Sequence, residues 1–284
     1  MTARMTGDRV VLCFGDSLTA GYIITSPHTG EYHPYRDRLQ ASLRRGRRGD
    51  GDGGDDGVGD GVNVIAVGAS GVTAQELATP GNLDGTENVD VCRKVYAGLR
   101  ASLRDITRRG DTCIGVIIMG GTNDLADRGA TATEVFTSIL ALHRVCYDFG
   151  IPTISLSVPP NANGGSAAPH CEGASGNASA AMKEYVETWQ QVNKSLKAEF
   201  GRRNNASEDR NSISISKDDA EAVRAHSMNS CGDVLPRTAF FDVERCVPYF
   251  PESRYWEQDG LHMTAAGYDR LGETLAPLVK ETFF

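Results

Sequence analysis

The residues able to do chemistry stand at opposite ends of this 284-residue chain: Gly15-Asp16-Ser17 directly follows the apolar run Val10-Val11-Leu12-Cys13-Phe14, and Asp259-Gly260-Leu261-His262 lies near the far end. A serine hydroxyl is a weak nucleophile at neutral pH. It needs a base within hydrogen-bond reach, normally an imidazole whose second nitrogen is held by a carboxylate. Ser17, His262 and Asp259 supply those three groups. Each has a plainer reading alone: Ser17 as a helix cap, His262 as a surface histidine, and Asp259 as a turn residue ahead of a helix starting near Thr264. Their occurrence together, with the small-residue segments Gly68-Ala69-Ser70-Gly71 and Gly121-Thr122-Asn123-Asp124 between them, points to acyl transfer.

Strands and helices taking turns must bring these pieces together. Short β-branched or apolar runs predict strands at 9–14, 62–67, 113–119, 151–158 and 238–243. Helical patterns are expected at about 34–45, 91–109, 131–149, 178–200 and 264–282. Over 91–109 the residues Val91, Val95, Ala97, Leu99, Leu103 and Ile106 recur mostly every three or four positions, which predicts one inward face. Near-continuous apolar strands alternating with helices argue for a parallel sheet covered on both faces. Ligands of such sheets bind beyond the carboxyl ends of the strands. Ser17, Ser70-Gly71 and Gly121 to Asp124 each follow a predicted strand, so three segments converge on one rim.

Composition narrows the class. With 40% hydrophobic and 23% charged residues the chain can bury a full core, and a single domain over 1–284 with insertions is expected. A net charge of −8 speaks against a nucleic-acid or anionic-membrane binder. No apolar run approaches the roughly 20 residues needed to cross a bilayer. The first residues lead into only a five-residue apolar stretch, too short for a signal-peptide core, so an intracellular location is expected. The seven cysteines form no C-x-x-C pair and read as free thiols, with no zinc site implied.

Two stretches break the regularity. Residues 44–61, rich in Gly and Asp, have little to bury and are expected to form a flexible insertion. Their formal G-x-G-x-x-G (Gly49, Gly51, Gly54) has no strand ahead of it and an acidic setting, which argues against phosphate. The aspartates lack the spacing and closing Glu of an EF-hand calcium loop. Residues 202–236 read as a polar excursion with a short helix near 217–226. The segment 22–35 mixes aromatics with histidines close behind the nucleophile, where it either borders the pocket or forms a surface loop.

Gly15-Asp16-Ser17-Leu18, Gly71 within 68–73, Gly121-Thr122-Asn123-Asp124 and Asp259-Gly260-Leu261-His262 resemble, in order, the four sequence blocks of the GDSL-type SGNH hydrolases. That resemblance implies a flavodoxin-like three-layer α/β/α sandwich with a five-stranded parallel sheet. It implies Ser17 as nucleophile, His262 as base and Asp259 as the group holding the ring, with no cofactor. An oxyanion would be met by the backbone N–H groups of Ser17 and Gly71 and by the Asn123 side-chain amide. Asp16 and Asp124 are read as organisers of their loops. An α/β-hydrolase would carry its serine in G-x-S-x-G, but Thr19 stands where the second glycine would be. The breadth of the family that the chain resembles implies a small carboxylic ester as substrate, with lysophospholipids or acyl thioesters as alternatives. Transfer of the acyl group to a sugar or alcohol, and a non-catalytic carbohydrate- or lipid-binding role, are the competing functions.

Overall fold

In the computed structural model the residues described are 7–24, 32–45, 61–127, 130–160, 176–201, 236–250 and 252–284. Five strands, β1 (Arg9–Asp16), β2 (Val62–Ala69), β5 (Thr112–Met119), β6 (Thr153–Leu156) and β7 (Thr238–Phe241), form one sheet in the order β2-β1-β5-β6-β7. Every pairing is parallel. Counting only these five along the chain, the order is 2-1-3-4-5, the flavodoxin-like doubly wound arrangement. The expected fold class is therefore the observed one.

The uninterrupted apolar character of β1 has a direct cause. Successive side chains point to opposite faces, and both faces are covered. Val10, Leu12 and Phe14 enter one core with helices α5 (Leu99–Arg108), α7 (Ala132–Asp148) and α8 (Gly176–Phe200). Val11 and Cys13 enter the other with α2 (Tyr35–Arg45) and the C-terminal helix α10 (Ala265–Phe283). Val116 and Ile118 of β5 fall to the first core, and Ile117 and Met119 to the second.

One expected helix is divided. Residues 91–109 do not form a single helix: Asn88–Val89 (β3) and Val95–Tyr96 (β4) pair as a small antiparallel hairpin, and α5 begins only at Leu99. The Asp90 carboxylate accepts from the backbone N–H of Ser70 at 2.9 Å and of Lys94 at 2.8 Å, while Arg93 takes a left-handed φ of 60°. These bonds hold residues 90–94 in a tight turn that a helix cannot traverse. Val91 and Val95 are consequently 71% and 58% exposed, not inward-facing. The insertion within 44–61 and the excursion at 202–236, with its short helix near 217–226, lie largely outside the described residues. No helix among the described residues is long and apolar enough to cross a membrane.

Candidate active site

The three converging segments meet at the carboxyl ends of neighbouring strands. In β1 and β2 the last paired residues are Asp16 and Ala69, and Gly15 lies beside Met119 of β5. Ser17, Ser70-Gly71 and Gly121 to Asp124 thus leave the sheet side by side, where the chain diverges to the two faces.

Ser17 opens the four-residue helix α1 (Ser17–Ala20), and its residue is 6% exposed. Asp16 caps that helix, its Oδ1 accepting from the Leu18 N–H at 3.0 Å. Burial pushes the Asp16 carboxyl up to about 7, against the opposing pull of the Leu18 bond and of His262. Helix α1 ends at Gly21, whose φ of 78° needs no Cβ and turns the chain toward Tyr22.

His262 comes from a compact turn ahead of α10. The Glu257 N–H donates to the His262 carbonyl at 2.8 Å, and Trp256 and Met263 form an antiparallel bridge. Asp259 Oδ1 accepts from the N–H groups of Leu261 and His262, both at 3.0 Å, while its Oδ2 lies 2.6 Å from His262 Nδ1. Burial pushes the Asp259 carboxyl up, but the bonds to the His262 ring and to the two backbone N–H groups outweigh it and hold it below the ordinary range. An ionised carboxylate can only accept, so Nδ1 carries the proton and Nε2 is left as the acceptor. Ser17 Oγ lies 3.0 Å from Nε2. A hydroxyl, an imidazole and a carboxylate from residues 17, 262 and 259 therefore form one hydrogen-bonded line.

The other two residues expected at the site sit close by, Gly71 in the turn after β2 and Asn123 in the first turn of a short helix. Gly71 has φ 70°, and a Cβ there would meet the Val91 side chain at 2.5 Å, so both its backbone and its surroundings exclude a side chain. Asn123, near the start of α6 (Thr122–Asp127), donates from Nδ2 to the Val72 carbonyl at 3.0 Å. That bond uses one of two amide protons and ties Asn123 to the Gly71 loop. Asp124 completes the tie: its carboxylate accepts from the N–H of Ala74 at 2.7 Å and of Gln75 at 3.2 Å, at the start of α3 (Ala74–Leu77). Burial raises its carboxyl above the ordinary range.

Two neighbours of the line escaped individual notice in the sequence. The Tyr22 ring is tilted against the His262 imidazole with centroids 4.8 Å apart, and Tyr32 meets Tyr22 edge-on at 6.0 Å. The only sequence signal was the aromatic content of 22–35. Of that segment, residues 25–31 lie outside the described set.

A model of the GDSL-like lipase/acylhydrolase family matches residues 13–270. Among solved structures, a carbohydrate acetylesterase family member from Sinorhizobium meliloti is 20% identical, with TM-score 0.52, covering 97% of this chain and 99% of that one. A carbohydrate esterase family 3 protein from Talaromyces cellulolyticus is 12% identical, with TM-score 0.55 and coverage of 96% and 97%. A lipase/acylhydrolase from Enterococcus faecalis is 18% identical, with TM-score 0.50 and coverage of 96% of both chains. These are likenesses of fold. A comparison with curated proteins returns no match.

Proposed function

The chain belongs to the GDSL-like lipase/acylhydrolase family and is thereby a carboxylic ester hydrolase; from that premise we propose that it cleaves a small carboxylic ester through Ser17, His262 and Asp259 by way of an acyl-enzyme. Ser17 Oγ attacks the ester carbonyl carbon while its proton passes to His262 Nε2. Asp259 keeps the imidazole in the required tautomer and stabilises the imidazolium that forms. Negative charge on the carbonyl oxygen is met by the N–H groups of Ser17 and Gly71 and by the Asn123 amide, a donor that carries no charge to desolvate. Collapse breaks the bond to the alcohol oxygen, which takes the proton from Nε2. Water then repeats the sequence on the acylated serine, returning the free acid and the hydroxyl. The same reading takes 1–284 as one hydrolase domain and calls on no metal or cofactor.

The observation that carries this reading is the 3.0 Å approach of Ser17 Oγ to His262 Nε2, with Nδ1 held at 2.6 Å by Asp259. Its test is covalent labelling with a fluorophosphonate. The wild-type protein takes the label on Ser17, and Ser17→Ala does not; undiminished labelling of the variant refutes the assignment.

A further inference from the structure

The leaving alcohol must come within hydrogen-bond reach of His262 Nε2 to receive its proton. A ring packed against the imidazole is therefore a candidate neighbour of the alcohol. Among the described residues the ring against His262 is Tyr22, at 4.8 Å between centroids, and the aromatic surface continues through Tyr32. Val91 packs over Gly71 in the neighbouring loop.

The aromatic wall is held from several directions. The Tyr22 N–H donates to the Ser17 carbonyl at 3.0 Å, and the Tyr22 carbonyl accepts from the buried Tyr268 hydroxyl at 2.9 Å. Tyr22 and Tyr32 form an antiparallel backbone bridge. The Lys94 ammonium sits 4.1 Å from the Tyr32 ring centroid, a cation–π contact that fixes the outer ring. Lys94 itself belongs to the turn that Asp90 ties to the Gly71 loop. Both residues are partly exposed. A pair of rings held in place beforehand loses little entropy on ligand binding.

We propose that Tyr22 and Tyr32, steadied by Lys94, form the alcohol-side wall of the ester site and select esters whose alcohol presents a flat ring face. The proposal rests on the Ser17–His262 reading above. A sugar ring and an aryl ring both offer such a face, through C–H groups or π-electrons against the tyrosines.

The test uses three acetates with a common acyl group: an acetylated methyl glycoside, phenyl acetate and propyl acetate. Leaving-group reactivity differs among them, so the readout is each variant's change in the kcat/KM ratio of a ring ester to propyl acetate, relative to the wild type. Tyr22→Leu and Tyr32→Leu are expected to lower that ratio roughly 2- to 10-fold, the value of one aromatic contact. Tyr22→Phe and Tyr32→Phe keep it. Loss for the glycoside alone identifies a sugar alcohol, and loss for phenyl acetate alone an aryl one. Equal slowing of all three acetates by both leucine variants overturns the proposal, as does an unchanged ratio, and reduces Tyr22 to a support for His262. Fluorophosphonate labelling of the leucine variants separates the two levels: label on Ser17 with an unchanged ratio sinks only the wall, while absence of label from the wild type sinks the nucleophile assignment as well.

Discussion

Two histidine–aspartate pairs in this molecule look alike on paper. His262 Nδ1 lies 2.6 Å from Asp259, and His33 Nε2 lies 2.9 Å from Asp269. The first pair is mostly buried, with side chains 12% and 19% exposed; the second is open, at 39% and 47%. The first carboxylate also accepts from two backbone N–H groups, so the imidazole it holds has a fixed direction. The free nitrogen of that imidazole points at a serine. Proximity of imidazole to carboxylate thus does not by itself mark a site, whereas a second anchor on the carboxylate and a hydroxyl on the far nitrogen are what single out the pair proposed for chemistry.

The hardest blow to this contrast is removal of the hydroxyl: Ser17→Ala is expected to lower kcat for p-nitrophenyl acetate on the order of 10⁶-fold, and a residual rate near wild type would erase the distinction between the pairs. Asp259→Asn leaves the turn in place but favours the wrong tautomer. It is expected to cost roughly 10³- to 10⁴-fold in kcat, measured beside a melting curve showing the variant folded. Asn123→Ala, outside either pair, is expected to slow the reaction roughly 100- to 1,000-fold. An unaltered rate strikes Asn123 from the site.

A third histidine sharpens the comparison from the side of burial. His143 is fully buried with its Nδ1 2.8 Å from Thr153 Oγ1 and its ring stacked 4.1 Å from Phe200, and burial pushes it down to about 3. The folded protein therefore refuses a proton that the unfolded chain accepts below its ordinary value of 6.5. The stability that this group supplies is present above pH 6.5 and is lost as pH falls toward 3. By pH 4 the loss is about 3 kcal/mol. His143→Gln is expected to flatten that part of the stability–pH curve in denaturant titrations; an equally steep acid loss in the variant shows that another group is responsible. The smallest effect is at the open pair, where Asp269→Asn is expected to change stability by less than about 1 kcal/mol and to leave kcat within twofold.

Much of this was legible in the amino-acid order. Ser17, Asp259 and His262 are legible as a set of types and not singly, and β1 and β5 stand out because strands buried on both faces lose their polar alternation. Residues 91–98 were misread because Val91 and Val95 fall at helical spacing, while what decides their fate is a carboxylate at 90 bonding the N–H of Ser70, twenty positions away. Tyr22 against His262 joins residues 240 positions apart and has no periodic trace at all. Local pattern reveals the elements; contacts made by single side chains across loops do not register in it.

In β1 the last strand residue, Asp16, is followed at once by Ser17, with no spacer between the sheet and the oxygen proposed as nucleophile. That oxygen is therefore bolted to a beam flanked by strands on both sides, and the rooms around it hang from loops. The hairpin at 88–96 and the Tyr22–Tyr32 bridge are not free-standing fittings: Tyr22 leans on His262 and Asp90 holds the Ser70 N–H, so remodelling either one also shifts a support of the candidate site.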